Sequence, residues 1–105
     1  MTFGSAIEAL KSGARVCREG WNGKGMWLAL TPGSIITLDK ARAGAAAALA
    51  NELLSGDHLD SHPRPSDRSM VIGPHIDMRA ADGSLVIGWL ASQTDMLAED
   101  WRVLE

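Results

Sequence analysis

Apolar residues recur along this chain with two different periods, and the switches between them mark its elements. Phe3, Ala6, Ile7 and Leu10 fall on one face at helical spacing. Thr2 stands where an N-cap belongs and Gly13 just past the last turn, so a short helix over about residues 3–12 is expected. Arg15-Val16-Cys17-Arg18 then reads as a strand, its side chains alternating between two faces. Asn22-Gly23 is a turn pair. Met26 to Leu30 is a second strand that Pro32-Gly33 ends, so the pattern predicts a hairpin with GWNGKG at its tip.

Ser34 to Leu38 is short and β-branched, which suits a third strand. Residues 39–55 change character. Asp39 is a good N-cap, the alanine-rich run to Leu54 favours helix, and Gly56 can end it. Residues 57–68, DHLDSHPRPSDR, are polar with two prolines and read as an exposed loop. Ser69 to Arg79 and Ser84 to Trp89 flank Asp82-Gly83 as two strands of a hairpin, with Pro74 marking an edge or a bulge. Ser92 with Asp95 three positions on resembles a capping box, so a helix from about residue 93 to 98 follows. Trp101 to Leu104 closes the chain as a last strand. The sum is one α+β domain: a small antiparallel sheet, an N-terminal helix, an inserted alanine-rich helix and a short C-terminal helix.

Composition narrows the function classes. The 105 residues suffice for one domain. A domain of this size buries only about two thirds of its unfolded surface, which makes self-association a natural source of added stability. The net charge of -3 argues against a binder of duplex nucleic acid, though not against a small anionic ligand held by local donors. Cys17 is the single cysteine, which excludes an intrachain disulfide and reads as a small buried hydrophobe in a reducing compartment. No apolar run reaches signal-peptide or transmembrane length, so a cytoplasmic protein is expected.

The candidate chemistry lies in a few places. Trp21 stands beside Asn22-Gly23 in a turn, where its flat ring suits stacking on a nucleobase; packing in a core or interface is the alternative. Asn22 reads a base edge or simply tolerates the left-handed turn, and Lys24 meets a phosphate or is a solvated turn lysine. Trp89-Leu-Ala-Ser92-Gln93-Thr94-Asp95 opens a helix, where free N–H groups and hydroxyls offer an anion or ribose site. Plain capping by Ser92 and Asp95 explains the same residues. His75 and Asp77 share a strand face and, with Asp95 or Asp100, can be drawn as acid and base; a structural histidine beside a surface aspartate is the preferred reading. His58, Asp60 and His62 have ligand types at two-residue spacing, but on a proline-flanked loop they make a poor metal frame. No cofactor and no metal is expected.

FGSAIEALKSGARVCREGWNGKGMWL near the start and PHIDMRAADGSLVIGWLASQTDMLAEDW near the end, in that order, resemble the second Thoeris anti-defence family of phage proteins. The resemblance covers residues 3–33 and 74–103. It implies a phage- or prophage-encoded sponge that sequesters cyclic nucleotide immune signals uncleaved: glycocyclic ADP-ribose, and in some relatives cyclic dinucleotides. It also implies a homotetramer with pockets between protomers. By the same resemblance Trp21 is the base-stacking residue. Trp89, Ser92, Gln93, Thr94 and Asp95 fall on the polar stretch expected to meet ribose and phosphate. Trp27, Trp89 and Trp101 are expected mainly as frame and subunit contacts. Residues 39–68 depart from the family pattern and read as an insertion. A hydrolase of such messengers, or a phage structural or protein-binding module, are the competing functions.

Overall fold

The computed structural model describes residues 1–55 and 68–104, and it has the expected α+β architecture. The chain forms two compact units, Met1–Pro32 with Pro74–Glu105, and Gly33–Gly73.

The first unit is a five-stranded antiparallel sheet with two helices. Its strands are β1 (Arg15–Arg18), β2 (Trp27–Thr31), β5 (His75–Arg79), β6 (Leu85–Val86) and β7 (Trp101–Leu104), in the order β6-β5-β2-β1-β7. Helix α1 (Phe3–Lys11) begins where Thr2 accepts a hydrogen bond from the Ser5 N–H. It ends where Ala14 donates back to Ala9 across Gly13, whose φ of +95° a side chain would strain. Ala6 and Leu10 of α1 are buried with Val16, Leu28 and Trp101 beneath them, and Phe3, Ile7, Leu30, Ile76 and Met78 surround that core. Val16 pairs with Leu28 and Leu28 with Met78, so the apolar members of three neighbouring strands meet on one face. Cys17 is buried, as its small size suggests.

The second unit pairs β3 (Ser34–Thr37) with β4 (Ser69–Ile72) and sets α2 (Gly44–Leu54) over a small core of Leu38, Ala50 and Met70. Here the expectation for Asp39 fails. Asp39 lies in a turn of 3-10 helix, Leu38–Lys40, and α2 starts at Gly44 behind Ala43 with no side-chain cap. Burial explains the difference. Leu38 is inserted into the core and its N–H donates to the Arg68 carbonyl, while Gly44 at φ +65° interrupts any right-handed helix running on from Asp39. Ser55 ends α2, and Gly56 lies outside the described residues.

Two strands are also shorter than the pattern predicts. The run Ser69 to Arg79 is divided at Gly73-Pro74 into β4 and β5, which belong to different sheets. The run Ser84 to Trp89 pairs only at Leu85 and Val86, because Gly88 takes φ +76° and turns its N–H onto Asp77. The last helix, α3 (Gln93–Leu97), has both halves of the expected capping box: Ser92 accepts from the Asp95 N–H, and Asp95 accepts from the Ser92 N–H.

Candidate functional site

The β1–β2 connection opens with a turn of 3-10 helix, Glu19–Trp21, and Asn22 follows in the left-handed conformation at φ 58°. That conformation is tolerated by asparagine and reverses the chain. Trp21 is therefore carried on a turn, yet it is half-buried: its ring meets Trp101 edge-on, with centroids 5.3 Å apart and planes at 79°. Trp89 packs against Phe3 and Trp101 at 6.4 and 6.3 Å. Trp101 is the centre of this cluster, buried to 2 % exposure, and its indole N–H donates to the Asp95 carbonyl.

Arg18 ties the turn to the start of α3. Its Nη1 donates to Asp95 Oδ1 at 2.8 Å and its Nε to Asp100 Oδ1 at 2.8 Å, while the Gly20 N–H donates to Asp100 Oδ2 at 2.8 Å. The hydrogen bonds that Arg18 donates to Asp100 and Asp95 raise its pKa. Burial pushes Asp95 up, but the hydrogen bonds from Arg18 and Ser92 outweigh it and hold the carboxyl below its ordinary value; Arg18 lowers Asp100 directly. Asp95 is thus committed to Arg18 and to the capping box, and the Ser92 hydroxyl to Asp95. Gln93 and Thr94 are exposed on the first turn of α3.

His75 and Asp77 share a face, as their alternation requires. Asp77 is buried and accepts from the Thr31 hydroxyl, the Gly88 N–H at 2.9 Å and His75 Nδ1 at 2.8 Å. Burial raises its pKa, and these hydrogen bonds outweigh burial, so the carboxylate is favoured. Asp95 and Asp100 are not its partners; they face Arg18. The triad-like set drawn from sequence is divided between two places. His58, Asp60 and His62 lie outside the described residues.

A cavity of about 340 Å³ opens beside the turn. Trp21, Gly23 and Lys24 line it from the turn, Trp27 from β2, and Arg15, Cys17, Arg18, Arg79 and Arg102 from the strands. The cavity therefore brings together Trp21 and Lys24 of the sequence-derived site. Asn22, Trp89, Ser92, Gln93, Thr94 and Asp95 are not among its lining residues. Trp27, expected mainly as frame and subunit contact, also lines this cavity: it is half-buried, with the Arg15 guanidinium 5.4 Å over its ring. Arg15, Arg79 and Arg102 escaped the sequence reading because they lie far apart in the chain. The one available signal was their placement at alternating strand positions opposite the core face.

The whole chain matches a family model. Residues 1–104 fit the Thoeris anti-defense 2-like domain. The chain belongs to that family. It is also 34% identical over 104 residues to Thoeris anti-defense 2 of Bacillus phage SP01, a match that spans 99% of this chain and 94% of the relative. Within the Thoeris anti-defense 2-like family, the cavity and the turn that carries Trp21 are this chain's candidate ligand site.

Proposed function

We propose that this chain binds and sequesters a cyclic nucleotide immune signal, glycocyclic ADP-ribose or a cyclic dinucleotide, and so blocks bacterial immune signalling without cleaving the messenger. The observation that carries this is the cavity: indoles at Trp21 and Trp27 beside five cationic side chains, with no aspartate or glutamate lining it among the described residues. Indole faces suit nucleobases and arginines suit phosphates. Membership of the Thoeris anti-defense 2-like family supports the anti-defence setting. The Ser92–Asp95 stretch does not line this cavity but is tied to the turn through Arg18, and it is proposed to supply ribose contacts. Capture rather than turnover is supported by Asp77, whose carboxylate is occupied by three donors and so is poorly placed to act as a base.

The assembly proposed is a homotetramer in the host cytoplasm with ligand held between protomers. Leu85, Ile87 and Leu90, exposed to 57%, 62% and 89% beside an edge strand, are the kind of apolar surface that such an assembly covers. The test is a calorimetric titration against glycocyclic ADP-ribose isomers and cyclic dinucleotides, with linear ADP-ribose and NAD as controls. The bound nucleotide is then released by heat and analysed. Tight binding with intact recovery is expected; recovery of cleaved product would replace capture with hydrolysis.

A further inference from the structure

The strand register places four residues of the cavity in one line across the sheet. Cys17 faces Arg102 across β1 and β7, and Trp27 faces Arg79 across β2 and β5. Val16 faces Leu28, so one antiparallel step brings Cys17 opposite Trp27. The row across β7, β1, β2 and β5 therefore reads Arg102, Cys17, Trp27, Arg79. Alternation puts it on the face opposite Val16 and Leu28, which are buried under α1. An indole and a small thiol thus lie between two arginines whose backbones are three strand spacings, about 14 Å, apart.

Charge is concentrated here against the trend of the chain. The protein carries -3 overall, yet Arg15, Arg18, Lys24, Arg79 and Arg102 put five of its ten Lys and Arg residues on this cavity. Asp95 and Asp100 compensate Arg18. Arg79 donates to the Gly25 carbonyl at 3.1 Å, which orients the guanidinium without neutralising it. The Arg15 guanidinium lies over the Trp27 ring. Cationic side chains gathered this closely repel one another, so their clustering carries a cost that a bound anion would offset.

We propose that this row is the phosphate-recognising wall of the cavity. Arg79 and Arg102 each engage a phosphate of one ligand, Trp27 packs against its flat ring, and Arg15 and Lys24 complete the field. The ligand class is a nucleotide with two phosphate charges, linked or separate. This rests on the capture reading above and adds to it the residues that select the phosphates.

The first probe is inorganic pyrophosphate, measured by equilibrium dialysis on the full chain, with orthophosphate as the single-phosphate control. Arg102→Ala is the principal variant. Lys11→Ala, on the exposed face of α1 and paired with Glu8, changes net charge equally but leaves the wall intact. Melting temperature confirms folding in each. Pyrophosphate binding is expected to weaken roughly tenfold or more in Arg102→Ala, to be unchanged in Lys11→Ala, and to exceed orthophosphate binding. No pyrophosphate binding by the unmodified chain, or equal binding by the two variants, would overturn the wall. The second probe is the messenger panel. A messenger captured with undiminished affinity by Arg79→Ala and Arg102→Ala overturns the wall and leaves capture standing. Loss of affinity in both supports the wall. Pyrophosphate held on the row with no messenger captured supports the wall and overturns the capture reading.

Discussion

At the scale of single residues, Trp21 has two roles that a substitution must separate. Its edge contact with Trp101 supports the core, and its place on the cavity is where the proposed ligand would stack. Trp21→Ala removes both; messenger affinity is expected to fall by about 10- to 100-fold, the size of one lost base stack, with some loss of melting temperature. Trp21→Phe keeps much of the packing with a smaller stacking face, so its affinity should fall less and its melting temperature little. Calorimetry beside thermal melts checks both. Asp77 is a buried acceptor shared by three donors. Asp77→Ala leaves the Gly88 N–H, the Thr31 hydroxyl and His75 without their acceptor, and chemical denaturation should show a loss of about 2–4 kcal/mol. Trp21 was legible in the sequence because a tryptophan beside Asn-Gly is out of place in a core. The edge contact with Trp101 was not, because those residues are brought together by the β1–β7 pairing and not by anything local.

At the scale of elements, α3 shows what a five-residue helix needs in order to persist. It is too short to hold itself and depends on its cap and on Arg18. Ser92→Ala is expected to cost about 1 kcal/mol. Arg18→Ala should cost more, because it leaves Asp95 and Asp100, both largely shielded, without their shared cation. Urea melts of the two variants test that order. The capping box was readable from Ser92 and Asp95 alone, since both halves lie within three residues. The Arg18 clamp was not, because its partners are 77 and 82 positions away. Asp39 illustrates the opposite failure. It has an N-cap's chemistry, but burial of Leu38 and the positive φ of Gly44 decide where α2 begins. Tertiary packing overrode a correct local preference.

At the scale of the whole molecule, the acidic groups set a direction for stability. Asp77, Asp95 and Asp100 all have pKa values held below the ordinary carboxylate value in the folded chain. The unfolded chain therefore binds more protons than the folded one at low pH. Their contribution is complete above the unfolded value of about 3.9 and is lost as pH falls through the folded values. Circular dichroism should find stability insensitive to these groups near neutrality and falling below about pH 4, with a shallower pH dependence in a folded Arg18→Ala variant. The α+β class and most element positions were legible from periodicity. The sheet order, and with it the line from Arg102 to Arg79, was not, because register joins strands from opposite ends of the sequence. Thr31 faces His75, so the first unit leaves and re-enters at neighbouring strand ends, with residues 33–73 strung between them. Replacing that stretch with a turn of about two to five residues should leave the first unit folded, as its melting curve and pyrophosphate binding would report. The junction acts as a socket. The distance its ends must span is fixed by the sheet, and closing a longer loop there adds only about 0.6 kcal/mol per doubling of length. Such a point lets a cassette be exchanged, lengthened or lost while the sheet beneath it keeps its register.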